Sequence, residues 1–371
     1  MTLVLTLLVS DEVDLVEPLL DYYLDRGVDL VILTTNRAPE EVIEKLVPYV
    51  ERGVARILRE DATVFAQDEW VTRMARLAAE EHGADWVLNV DADEFFWPEA
   101  GTFKEILAAV PPELGALEVP VCHFLPRPDE RGFFADRMTV REVRSLKPSG
   151  RAVFSKCVHR ATPDVQVSIG NHHAKGTGLE LLVGWHPIVG LHFPLRSYDQ
   201  FERRVVRDLR ADPSLGWKRY PDRLRLHRSG RLREAYERDV LDEREAERGI
   251  EEGRLVVDER LKHFFATKDE TGGSEPAAYD AERAEELRLE ARRAIVEFQS
   301  HPLYFEAERL RYKLVKARHG RRSFRRRQEH AERRRDELKA EIAAMRSTWH
   351  FKVGARIAPL LAGARGRRQR R

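Results

Sequence analysis

The 371-residue sequence predicts an α/β fold built on a mostly parallel sheet and followed by a helical C-terminal extension. Strand-like and helix-like segments alternate through the first hundred residues, the pattern of successive βα units. The strand segments are apolar runs with little polar alternation, which marks strands buried on both faces of a parallel sheet. The fourth run, Trp86-Val87-Leu88-Asn89-Val90, leads straight into Asp91-Ala92-Asp93-Glu94. Ligands of open α/β sheets bind beyond the carboxyl ends of such strands, and the acids stand there.

Each element has its own justification. Thr2 to Val9 reads as the first core strand, because it lacks the basic n-region and cleavage site of a signal peptide and the length of a membrane span. Val13 to Arg26 keeps apolar residues at helical spacing and is closed by Gly27. Val28 to Thr34 is the second strand, and Pro39 to Glu51 a helix with proline in its first turn. Val54 to Leu58 is the third strand, Phe65 to His82 a helix, and Trp86 to Val90 the fourth strand. Beyond Pro98 come a short helix from Phe103 to Val110, a Pro111-Pro112 break and a strand from Ala116 to Cys122. Gly- and Pro-punctuated segments follow to about Ser197, and Phe201 to Leu209 returns to helical sequence.

This organisation divides the chain into an α/β catalytic domain over 1–210, a charged helical extension over 211–270 and a Gly/Ser/Pro linker over 271–276. A helical region over 277–345 and a basic amphipathic tail over 346–371 complete it. Phe324, Ala331, Leu338 and Met345 recur every seven residues, so a coiled coil, and with it a homo-oligomer, stands beside a solvated basic helix as a reading of that region.

Charge is distributed unevenly. The formal net charge is +1, yet residues 321–371 carry 17 Lys/Arg against 5 Asp/Glu. A basic tail on an acidic body points to an anionic partner, either a membrane surface or nucleic acid. No basic stretch carries the interleaved aromatics of a nucleic-acid reader, so the nucleic-acid reading is the weaker one. Two cysteines, Cys122 and Cys157, make no disulfide framework or zinc motif, which fits a cytoplasmic protein. The phosphate-binding P-loop, the dinucleotide glycine fingerprint, the hydrolase serine elbow and the zincin helix are absent from the sequence.

On extended backbone, side chains two apart point the same way, so Asp91 and Asp93 are expected to share one cation. Hard divalent cations such as Mg²⁺ or Mn²⁺ prefer carboxylates and substrate phosphates, so the expectation is a metal-diphosphate site. By the same alternation Glu94 faces away and is read as structural. Ser10, Asp11 and Glu12 end the first strand, and Thr35 and Asn36 end the second, where a nucleotide would be held. Asp11 also suits a helix N-cap before Val13. Gln67, Asp68 and Arg73 are weaker candidates at the start of the next helix.

Trp86-Val87-Leu88-Asn89-Val90-Asp91-Ala92-Asp93-Glu94-Phe95 resembles the W-x-x-x-x-D-x-D-E-F element of family-2-type glycosyltransferases of the GT-A fold, in the branch near family 92. Leu8-Val9-Ser10-Asp11-Glu12, followed by Tyr22-Tyr23 and Gly27-Val28-Asp29, is similar to that branch's opening. Leu191-His192-Phe193-Pro194-Leu195-Arg196-Ser197-Tyr198-Asp199-Gln200-Phe201 is similar to its H-[YF]-P-x-R-S-x-x-Q-F block. The three blocks keep their order over about residues 1–210.

The resemblance implies a GT-A fold and a metal-dependent, inverting transfer of a sugar from a nucleotide-sugar donor to a glycan or other hydroxyl acceptor, in surface polysaccharide synthesis. It implies Asp93 as direct metal ligand, Asp91 sharing the metal or contacting the ribose, and His172 or His192 as third ligand. Lys156 matches a family lysine at the donor phosphates, and Arg196 is placed with it, with an ion pair to Asp199 as its other reading. The catalytic base is open among Asp136, Glu142 and Glu180. A nucleotidyltransferase would use the same acids, but it needs a Gly-rich basic loop where Ser10-Asp11-Glu12 is acidic. Arg346 to Leu361 resembles the S-x-W-[RH]-x-x-x-P-L tail of bacterial surface-glycan glycosyltransferases. With residues 321–371 it implies peripheral binding at the inner face of the plasma membrane.

Overall fold

The computed structural model describes residues 1–62, 66–128, 131–144, 151–211, 221–271 and 280–299. All belong to one compact unit, Met1–Pro302; the second unit, Leu303–Arg371, lies outside the described residues. The heptad pattern and the basic tail fall there, and most of the 271–276 linker also lies outside the described residues.

The four expected strands are Leu3–Val9 (β1), Leu30–Asn36 (β2), Ala55–Glu60 (β3) and Trp86–Asp91 (β4). Helices Val16–Asp25 (α1), Glu40–Glu51 (α2) and Gln67–Glu81 (α3) connect them. β1 lies parallel between β2 and β4, and β3 lies parallel outside β2. α1 starts three residues later than its apolar spacing predicts, because Val13–Leu15 form a turn in which the Glu12 carbonyl accepts from Leu15 and Val16 N–H. Asp11 is therefore not the cap of this helix.

Beyond the acids the sheet continues with Glu94–Pro98 (β5), and helix Phe103–Ala109 (α4) leads to Ala116–His123 (β6). Phe134–Arg137 (α5), Val140–Glu142 (β7) and Ser155–Arg160 (β8) follow, then the short strands Gln166–Val167 (β9), Ala174–Lys175 (β10) and Leu181–Leu182 (β11). Ile188–His192 (β12), helix Tyr198–Ala211 (α6) and Leu255–Val257 (β13) come next, the last paired with β7. The main sheet runs in the order β3-β2-β1-β4-β8-β6-β12-β5, with β11 beside β6. It is a mixed α/β fold with a curled, mostly parallel sheet, as the sequence predicts.

The curl begins in β6. Ala116–Pro120 pair antiparallel with β8, whereas Val121–His123 pair parallel with β12. Pro120, which has no N–H to donate, sits at the switch. β5 closes the path, and its outer edge is held by the two tyrosines of α1. Tyr22 donates to the Phe96 carbonyl (2.6 Å), while the Tyr23 hydroxyl donates to the Glu94 carbonyl (3.1 Å) and accepts from Phe96 N–H (2.8 Å). Backbone groups that an edge strand would otherwise leave open are thus satisfied, and the aromatic pair noted in the sequence has a physical task.

Described helices beyond residue 210 pack on the core of the α/β half. Leu261 and Phe265 of helix Arg260–Thr271, and Leu287, Ala291 and Ala294 of helix Ala281–Ala294, belong to the same hydrophobic cluster as β1, β4 and β5. Phe95 meets Phe265 edge-on with ring centres 6.1 Å apart. Cys122 and Cys157 are buried free thiols, and burial pushes Cys157 up to about 12.

Candidate active site

The acids sit where the sheet changes course. After Asp91 the chain turns through Ala92 and Asp93, and Glu94 starts β5 on the other limb of the curl. The turn breaks the two-residue alternation on which the sequence reading relied. It brings Glu94 in beside Asp93.

Asp93, Glu94 and His192 form a cluster whose ligand atoms lie within 4.8 Å of one another. Antiparallel pairing of β12 with β5 sets His192 opposite Glu94, and His192 Nε2 lies 3.3 Å from Asp93 Oδ1. Its Nδ1 is 2.8 Å from Nδ1 of His123, the last residue of β6, so one ring nitrogen is engaged behind while the other faces the acids. That is how outer partners orient a metal-ligating imidazole. Burial opposes the charge on Asp93, but His192 and then Arg204 outweigh it and hold the carboxyl well below the usual carboxylate range. Burial likewise opposes the charge on His192, and Asp93 outweighs it, so its pKa is raised. Burial, helped by His192, lowers His123 to about 4, which leaves it neutral near pH 7.

Two carboxylates and an imidazole are a donor set that suits Mn²⁺, and suits Mg²⁺ less because of the nitrogen. The residues present therefore fit a divalent cation, and Glu94, read as structural from the sequence, belongs to that donor set.

Asp91 is held by a different group of partners. Its Oδ1 accepts from Gln67 Nε2 (2.9 Å) and Asn171 Nδ2 (3.0 Å), and its Oδ2 pairs with Lys156. Lys156 Nζ is also 3.0 Å from Glu94 Oε1. The lysine is 2% exposed and Glu94 1% exposed, so the ammonium is the buried counter-ion of two carboxylates. Burial opposes the charge on Lys156, yet Glu94 and Asp91 outweigh it and raise its pKa well above the usual value. Gln67 carries its hydrogen bonds onward, since Gly170 N–H donates to its Oε1 (3.1 Å). Gly170 and Asn171 both adopt positive φ, +75° and +57°, a conformation that Gly and Asn tolerate best.

The nucleotide-binding candidates gather at the same carboxyl edge. Ser10 N–H donates to Glu12 Oε2 (2.6 Å), and Ser10 Oγ donates to the Asn36 carbonyl (3.3 Å). Asn36 Nδ2 donates to the carbonyls of Glu60 (3.3 Å) and Ala62 (3.1 Å). Arg207 of α6 pairs with Asp11 and lies 3.5 Å from Glu12, while Arg204 reaches Asp93 at 3.7 Å. α6 thus lays two arginines over the acidic edge. Arg73, one of the weaker candidates, pairs with Glu60 (2.6 Å).

Other candidates are placed elsewhere. Arg196, expected at the donor phosphates or on Asp199, is 2% exposed and grips Asp14 through Nε (2.8 Å) and Nη2 (3.2 Å), tying the segment between β12 and α6 to the turn before α1. Its guanidinium is therefore consumed by structure. His172 Nδ1 donates to the Ser155 carbonyl (2.6 Å), and its ring stands edge-on to Phe154, outside the metal cluster. Glu142 is exposed on β7; Glu180 is exposed at the opposite end of β6, where its carbonyl accepts from Gly115 and Ala116 N–H. Asp136 is exposed on α5 and lies near Lys262. None of the three belongs to the cluster.

Sequence reasoning missed Glu94, His123, Asn171, Arg204 and Arg207. Asn171 stands directly before the candidate His172. His123 closes a strand at the same edge, which was a legible signal. The α6 arginines had none, since a helix rich in Arg and Asp reads first as a solvated face.

No known family profile matches the sequence, and neither does any curated protein. Among solved structures, the chain is similar to residues 1–349 of S. aureus TarS, at 13% identity over 57% of this chain, with TM-score 0.34; it spans 66% of that chain's length. The same TarS fragment in complex with UDP-GlcNAc gives 14% identity over 57% of this chain and 68% of that one, with TM-score 0.33. HddC from Yersinia pseudotuberculosis gives 10% identity over 55% of this chain and 97% of that one, with TM-score 0.32.

Proposed function

We propose that the protein is a metal-dependent glycosyltransferase that moves a sugar from a nucleotide-sugar donor to a hydroxyl acceptor. The observation that carries this reading is the Asp93-Glu94-His192 cluster at the carboxyl edge of the sheet, beside the strand ends of Ser10 and Asn36. Acids at the edge where open α/β sheets take nucleotides serve a donor whose leaving group is a diphosphate.

Asp93, Glu94 and His192 would hold Mn²⁺ or Mg²⁺, and the bound ion would neutralise charge on the departing diphosphate. His123 sets the ring of His192. Lys156 keeps Asp91 and Glu94 together as a buried counter-ion, and Gln67 and Asn171 fix the direction of Asp91. Arg204 and Arg207 add cationic charge at the mouth of the site, where phosphate oxygens would lie. Inversion of the sugar, a surface-glycan acceptor and the membrane role of residues 321–371 rest on sequence resemblance and charge. No helix among the described residues is long and apolar enough to cross a membrane.

Thermal unfolding with a panel of nucleoside diphosphates, with and without Mn²⁺, tests the reading. At least one nucleotide with Mn²⁺ should raise the melting temperature of the full chain, as ligand binding to the native state must. Asp93→Asn should keep its fold and lose that response. If no nucleotide shifts wild-type melting, or if Asp93→Asn responds like wild type, the reading fails.

A further inference from the structure

The opposite edge of the sheet carries a second concentration of charge. α1 runs back from the acidic edge to where β2 begins, and β5 likewise ends beside the start of β12. Between these ends and helix Arg260–Thr271 is a cleft of about 380 Å³, with Arg26, Trp97, Arg260, His263, Phe264 and Lys268 in its lining. The lining holds three cations and no acid.

Two of these cations are compensated by neighbouring acids. Lys268 pairs with Asp25 (2.7 Å) and Asp21 (3.3 Å), and Arg260 with Asp258 (2.6 Å) and Glu99 (3.4 Å). Arg26 has no such partner: it makes no ion pair and no side-chain hydrogen bond among the described residues, and its Nε is buried unsatisfied. Its guanidinium lies 4.1 Å from the ring centre of Trp97, 5.0 Å from Phe264 and 5.4 Å from Tyr22. Cation–π attraction offsets part of the desolvation of the charge, but it satisfies none of the five N–H donors of the fork. An aromatic-clamped guanidinium that no described acid or carbonyl pairs, beside an open cleft, keeps donors for an anion.

We infer that this cleft binds a phosphate monoester, with Arg26 as the central donor and Lys268 and Arg260 at its sides. A guanidinium fork matches phosphate oxygens in pairs. The cleft is larger than a bare phosphate needs, and Phe264 offers an apolar wall to the body of the ester. A soluble sugar phosphate and a lipid headgroup share this chemistry.

Calorimetric titration of the full chain with glucose 1-phosphate, glucose and inorganic phosphate tests the site. A parallel arm measures co-sedimentation with phosphatidylcholine vesicles, with and without phosphatidic acid. Glucose 1-phosphate or phosphatidic acid should bind and glucose should not; the arm that responds identifies the source of the phosphate. Arg26→Gln should weaken binding about tenfold or more, as loss of a charge-assisted pair does. Lys268→Met, which leaves the Arg26 stack in place, should weaken it as well and covers the case in which Arg26→Gln fails to fold. Asp93→Asn should bind like wild type, which separates this site from the metal cluster. Absence of binding in both arms, unchanged affinity in folded Arg26→Gln and Lys268→Met, or loss of binding in Asp93→Asn would each overturn the inference.

Discussion

Lys156→Met offers the sharpest test of how the acidic site is held together. The substitution preserves the length and apolar stem of the side chain, which is 3% exposed, and removes the ammonium. Glu94 is then left 1% exposed, with a 3.4 Å contact from Asp91 N–H as its remaining hydrogen bond to Oε2. Asp91 suffers less, because its side chain is 29% exposed and Gln67 and Asn171 still donate to it. Removing one partner of a buried ion pair costs about 3–5 kcal/mol, and the partial exposure of Asp91 places this case at the lower end, about 3 kcal/mol. That corresponds to about two decades in the folding equilibrium. Urea unfolding followed by tryptophan fluorescence in metal-free buffer measures it. The cost comes from an uncompensated carboxylate, so Lys156→Met/Glu94→Gln should recover more than half of the loss, as a double-mutant cycle reports. A loss under about 1 kcal/mol, or a double variant no more stable than Lys156→Met, would refute the counter-ion argument.

Three further outcomes are expected. His192→Ala should raise the Mn²⁺ concentration needed for nucleotide binding, whereas His172→Ala should leave it unchanged; the reverse result in a metal titration would move the third ligand to His172. His159 is fully buried, with Nδ1 donating to the Arg160 carbonyl and Nε2 unpartnered, and burial lowers its pKa to about 4. Since the unfolded chain binds this proton near pH 6.5, stability is fully present above that value and lost as pH falls toward 4. The loss reaches about 2 kcal/mol by pH 5, and His159→Phe should flatten it in urea unfolding at pH 8 and pH 5. Gly115→Ala should destabilise by about 2 kcal/mol or more, because an added Cβ would lie 1.9 Å from the Gly178 carbonyl oxygen and backbone must move; near-wild-type melting would contradict that packing.

Local chemistry made much of the α/β half legible. The apolar runs of β1, β2 and β4 need burial on both faces wherever they fold, and Gly27 between α1 and β2 needs the positive φ it adopts (+88°). Strand identity and the position of the acids at a strand end therefore followed from residue order, whereas His192 as a metal candidate came from the family resemblance. Tertiary structure decided which of these groups meet. The turn at Ala92-Asp93 reverses the facing of Glu94, and no period-two rule anticipates a strand that ends after Asp91 and restarts three residues later. The switch of β6 from β8 to β12 brings His123 against His192 across 69 residues of sequence. The resemblance placed Lys156 at the donor phosphates, whereas its pairing with Asp91 and Glu94 depends on β8 lying antiparallel to β4. Arg196 shows the same limit, because its partner Asp14 stands 182 residues away. Hydrophobic periodicity records what each segment must bury, whereas charge pairing depends on which segments the curl of the sheet brings within a few ångströms of one another.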